Sequence, residues 1–78
     1  MQTVTITYKN SSNKTVTGQF GVVKASEISK DEKYALVEAG YEFIGKSEWR
    51  DEECAEVEKQ AAQVAGVVAG ESVWVKAL

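Results

Sequence analysis

The chain has 78 residues, 44% hydrophobic and 27% charged, with a formal net charge of −3, one cysteine and neither histidine nor proline. That is one small globular domain, 1–78, with a thin core that buries roughly 60% of the unfolded surface. The acidic balance speaks against nucleic-acid phosphates and anionic membranes as the main partner, and no apolar run reaches the roughly 18 residues of a membrane helix. Cys54 has no second cysteine to pair with, and "MQTVTITYKN" lacks the basic and apolar regions of a signal peptide, so a cytoplasmic protein is expected.

"TVTITY" alternates strictly, with Val4, Ile6 and Tyr8 on one side and Thr3, Thr5 and Thr7 on the other. β-branched residues at period two make a half-buried strand. The polar loop "KNSSNK" follows, and "TVTGQFGVV" resumes the alternation with Val16, Phe20 and Val22 inward. Two such runs across a short turn predict a β-hairpin. Ser29 to Glu32, "SKDE", is a capping box, in which hydroxyl and carboxylate satisfy each other's backbone amides. A short helix through Tyr34, Leu36 and Val37 is expected to end at a left-handed Gly40.

"YEFIGKSEW" reads as a third strand, with Tyr41, Phe43 and Trp49 on one parity and Ile44 and Lys46 on the other. Gly45 within it suggests a bulge. "DEECAEVEKQAAQVAGVVAG" carries the strongest helix signal. Asp51 is the expected N-cap, Glu52 and Glu53 suit the helix dipole, and Cys54, Val57, Ala61, Val64, Ala65 and Val68 form an apolar stripe. "ESVWVKAL" closes the chain as a fourth strand. The expected fold class is α+β in the order β-β-α-β-α-β. It has a mixed four-stranded sheet with parallel crossovers and two helices on one face.

"GYEFIGKS", residues 40 to 47, matches the phosphate-loop pattern G-x-x-x-x-G-K-[ST]. The context argues against that chemistry. A phosphate loop follows a buried strand and opens a helix, whereas Gly40 ends a helix and "YEFI" is itself strand-like. Glu42 and Glu48 would repel a triphosphate. An anion- or nucleotide-binding domain using Lys46 and Ser47 therefore stands only as an alternative.

No histidine is present to act as base or metal ligand, and Cys54 falls on the apolar stripe, so no catalytic residue, metal or cofactor is expected. Carboxylates crowd between Glu48 and Glu58, but their spacing scatters them around a helix: Glu52 and Glu56 share a face with Lys59, and Glu53 lies elsewhere. The common reading is a solvated helix start. The sharper one is an acidic surface, made of Glu48, Trp49, Glu52, Glu53 and Glu56, that meets a basic surface on a nucleic-acid-handling machine without touching nucleic acid itself. The sheet face away from the helices is expected to be open and rich in threonine. Ile44 and Trp74 would sit there as neighbours and anchor a partner or a second copy.

The segment "GYEFIGKSEW…AAQVAGVVAGESVWV" resembles a strand–helix–strand unit found in bacterial proteins, which supports the fold and carries no activity. By analogy of size and charge alone, small acidic cytoplasmic proteins without catalytic residues are frequent among phage and mobile-element products. Many of these, anti-CRISPR proteins included, occlude the surface of a host machine. The sequence-level expectation is thus a non-enzymatic protein-binding module of this inhibitory kind. The alternatives are an anion-binding domain and a homodimer joined through the open sheet face.

Overall fold

The structure is a computed structural model that describes residues 2–50 and 56–78. β1 (Gln2–Lys9) and β2 (Thr15–Lys24) form the expected hairpin, in unbroken register from Gln2 opposite Val22 to Lys9 opposite Thr15. Its turn is organised by Asn10, whose Oδ1 accepts from the Ser12 and Lys14 backbone N–H groups at 3.0 and 3.1 Å. A short polar side chain that mimics a backbone carbonyl is what makes asparagine a turn residue.

After a single 3₁₀ turn at Ala25–Glu27 comes α1 (Lys30–Glu38). The capping box is present: Ser29 Oγ accepts from the Glu32 N–H at 3.4 Å, and a Glu32 carboxylate oxygen accepts from the Ser29 N–H at 3.5 Å. Gly40 takes a left-handed φ of 93°. Its N–H then donates to Val37 and that of Tyr41 to Leu36, which satisfies carbonyls the helix end would leave bare. α2 (Glu56–Val64) ends by the same device. Gly66 at φ 91° donates to Gln63, and Val67 donates to Ala62. The helix thus stops before Val68, which the apolar stripe was expected to include. Val67 turns into the core instead, and Val68 stays exposed. The expected N-cap Asp51, Glu52, Glu53 and Cys54 lie outside the described residues.

β3 (Glu42–Ile44) is only three residues long, and β4 (Val73–Ala77) completes the sheet. The α+β class, the element order and the four-stranded sheet with two helices are as expected. The sheet order is β1-β2-β4-β3, and every bonded pair is antiparallel. The sheet is therefore not mixed. β2 and β3 do run in the same direction around α1, but β4 is inserted between them, so no parallel neighbours arise.

The helices also lie on opposite faces, not on one. Val4, Ile6, Phe20, Val22, Ile44, Val73 and Val75 point to the α2 side and enclose Ala61, Ala62 and Val67. Val23 and Trp74 point the other way, and Leu36 of α1 closes over them with Ala25, Ile28 and Tyr41 alongside. β2 and β4 are the central strands, and where Phe20–Val23 and Val73–Val75 meet they are buried on both faces, which explains the consecutive apolar residues Val22–Val23 and Val73–Trp74–Val75. Among the described residues no helix is long and apolar enough to cross a membrane.

Candidate functional site

The phosphate-loop letters adopt another structure. Gly40 caps α1, the residues after it form β3, and Gly45 to Ser47 lead into a 3₁₀ turn at Glu48–Arg50. The Gly45 N–H donates to Glu48 Oε2 at 3.0 Å, and the Ser47 hydroxyl donates to the same oxygen at 3.0 Å. The donors that would hold a phosphate thus hold a carboxylate of the chain itself. The Glu48 pKa is lowered by its own backbone N–H first, then by Ser47, with Gly45 adding to it.

This arrangement also changes the place of the expected acidic surface. Glu48 turns onto its own loop. Trp49 is half-buried against the α2-side core, and its Nε1–H donates to the Glu71 carbonyl at 2.7 Å. Trp49 thereby ties the 3₁₀ turn to the loop before β4. Glu56 is exposed in the first turn of α2. Glu52 and Glu53 lie outside the described residues. Lys59, expected on a solvated face with Glu56, is instead buried, at 7% exposure. Among the described residues no three His, Cys, Asp or Glu side chains gather to hold a metal ion.

The expected open-face anchor is not assembled either. Ile44 is 1% exposed and lies in the α2-side core opposite Val73. Trp74 is 5% exposed, on the other face, beneath α1. The reason is the parity of β3. The side chain beside Trp74 is Phe43, whose ring lies 5.0 Å from the indole and which is 44% exposed. Because α1 covers this end of the sheet, the indole is sheltered. The threonine-bearing part of the same face, on β1 and β2, remains exposed as expected, and Thr7 Oγ1 and Thr17 Oγ1 lie 3.2 Å apart across the hairpin.

The α1 side holds a cleft that the sequence reading did not single out. It has a volume of about 270 Å³ and is lined by Val23, Glu27, Ile28, Glu32, Ala35 and Leu36. Glu32, Ala35 and Leu36 fall on one stripe of α1, and Val23 is the floor contributed by β2. The chemistry is that of an apolar socket with negative charge on its wall. It can seat one medium-sized apolar side chain and favours a cation beside it. α1 also leaves Tyr34 and Val37 exposed, one turn apart. A sequence signal for this cleft does exist. Val22 and Val23 are consecutive, so one of them has to face away from the hairpin core, and that side needs its own cover.

No protein-family model matches the chain, and no curated protein or solved structure matches it.

Proposed function

We propose that the protein is a non-catalytic protein-binding module. Its cleft between the 3₁₀ turn at Ala25–Glu27 and α1 receives an apolar side chain that a partner presents among basic residues. The observation that carries this reading is a cleft whose lining joins four apolar residues (Val23, Ile28, Ala35, Leu36) with two acidic ones, Glu27 and Glu32. A pocket that removes one apolar side chain from water supplies the anchor. Carboxylates on its wall steer positive partners toward it and disfavour acidic ones. A module of this kind acts by covering the surface it binds, and an inhibitor from a mobile element would work the same way.

The test uses synthetic peptides with one central leucine or phenylalanine flanked either by arginine and lysine or by glutamate. Binding is read by amide chemical-shift changes. The basic peptides are expected to shift Val23, Ile28, Ala35 and Leu36, with the effect weakening as salt rises. Ala35→Trp, which fills the socket, should abolish the shifts, and Glu27→Lys should reduce them. Equal binding of acidic and basic peptides, or shifts confined to other residues, overturns the reading.

A further inference from the structure

The two edges of the sheet are built differently. β3 is an edge of three residues, it carries Glu42, and it ends in the Gly45 turn. Shortness and charge are how edge strands avoid pairing with other chains. β1 is the opposite edge. It has eight residues, an unbroken register on its inner side, no proline and no bulge, and its single charge, Lys9, lies at its end. Nothing in its own sequence blunts it.

Beside this edge runs a cleft of about 490 Å³ between β1 and α2, lined by Thr5, Ile6, Thr7, Gln60, Gln63 and Val64. Gln60, Gln63 and Val64 fall at i, i+3 and i+4, one stripe of the helix turned toward the free edge. Val64 is 62% exposed. On a chain whose residues are 27% charged, none of these six is charged. Loss of charge at the centre of a surface patch is the compositional mark of an interface core.

We propose that β1 pairs antiparallel with β1 of a second copy, giving a homodimer with one continuous eight-stranded sheet. The sequence of the strand suits itself. With Thr5 opposite Thr5 of the second copy, Val4 falls opposite Ile6 and Thr3 opposite Thr7, so apolar meets apolar on one face and threonine meets threonine on the other. The two-fold axis of such a pair is perpendicular to the sheet, so both α2 helices lie on the same side. Each then brings Gln60, Gln63 and Val64 toward the other across the joined strands. The two Lys9 residues end up roughly 27 Å apart at about 3.4 Å per residue, well beyond the screening length. An uncharged patch offers no selectivity for a charged partner, whereas a second copy presents the same uncharged patch by symmetry.

The mode is independent of the α1 cleft, which lies on the other face, so a dimer would display two copies of that cleft. Sedimentation equilibrium over micromolar to millimolar protein, with amide hydrogen exchange on the same samples, tests it. The expected result is a concentration-dependent dimer in which the outward-facing amides of β1 slow as the dimer forms. Thr5→Lys sets two like charges face to face at the axis, and such juxtaposition costs enough to weaken the dimer by about tenfold or more. Val64→Lys does the same from the helix side. Thr5 and Val64 are both exposed in the single chain, so circular dichroism should show both variants folded. A monomer at millimolar concentration with fast-exchanging outer β1 amides overturns the proposal. So does a dimer that neither substitution weakens, because its interface then lies elsewhere.

Discussion

α1 and the described part of α2 each span nine residues, and both helices end on a glycine in the left-handed region with the same pair of backbone hydrogen bonds. Their attachment to the sheet is nonetheless very different. α2 sets Ala61 and Ala62 flush against the sheet with no exposed surface, among Val4, Ile6, Phe20, Val22, Ile44, Val73 and Val75. α1 buries Leu36 alone, over Val23 and Trp74. Most helical stability in a folded protein comes from packing, so what holds each helix is its apolar face. The α2 face is where this fold is stabilised. The α1 face is thinner, leaves a cleft, and is the side expected to open locally first.

Equivalent truncations on the two faces should break or sharpen that contrast. Ile44→Ala removes a side chain that is fully enclosed on the α2 side, and the expected cost is about 3–5 kcal/mol. Against a total stability of roughly 5–15 kcal/mol for such a domain, that leaves a marginal protein. Leu36→Ala on the α1 side should cost about 2 kcal/mol, the low end of the range, because its surroundings already border a cleft and are free to relax. Urea unfolding of the two variants measures both. An equal loss would show that the faces share the load. Hydrogen exchange adds a second reading, since Leu36→Ala should free the α1 amides while leaving those of β1 and β2 protected.

Much of this contrast is written locally in the chain, and the part that is not depends on distant pairing. The capping box at Ser29, the stop at Gly40 and the alternation of Val4 and Ile6 are local signals, and each reads correctly from a few residues. The two faces of β3 are not local. Phe43 and Ile44 are both apolar and adjacent, so alternation alone does not say which one points inward. The answer comes from Ile44 standing opposite Val73, twenty-nine residues along the chain. The same missing information put both helices on one face. Yet Val73–Trp74–Val75 is an apolar run with no polar partner positions, and such a run calls for cover on both sides. Trp74 accordingly lies under α1, on the face opposite Val73 and Val75. The phosphate-loop letters show the reverse case, a strong local pattern in which Gly40, Gly45 and Ser47 serve a helix cap and a turn.

The helix ends give the next prediction, of intermediate size. Gly40→Ala and Gly66→Ala each force a side chain into the left-handed region, at a cost of about 1 kcal/mol apiece. If α2 is the better anchored helix, its end should resist fraying. Gly66→Ala should then register as a loss of global stability in urea, because Val67 is held in the core. Gly40→Ala should register mainly as faster local exchange in α1. The same global loss in both variants would mean that α1 unfolds only with the whole domain.

The smallest effect concerns Glu48, which is exposed and whose contribution is therefore modest. Its carboxylate accepts from the Gly45 N–H and the Ser47 hydroxyl, and its folded-state pKa lies below the ordinary glutamate range. A carboxylate with a lowered folded-state pKa adds stability above its unfolded value, and that stability is lost as pH falls through the folded value. The Gly45 amide resonance should accordingly titrate with a midpoint below that of an ordinary glutamate. Glu48→Gln should remove the titration and lower stability only slightly at neutral pH. The same variant probes the loop's capacity for an external anion, because the amide and hydroxyl are then no longer held by a carboxylate. Thermal unfolding with ATP and magnesium is expected to show no stabilisation of the wild type, since a ligand raises stability only when it binds the folded state. If Glu48→Gln gains a clear thermal shift with inorganic phosphate, the carboxylate is what keeps anions out of this loop. If it gains none, the geometry of β3 and the turn excludes them by itself.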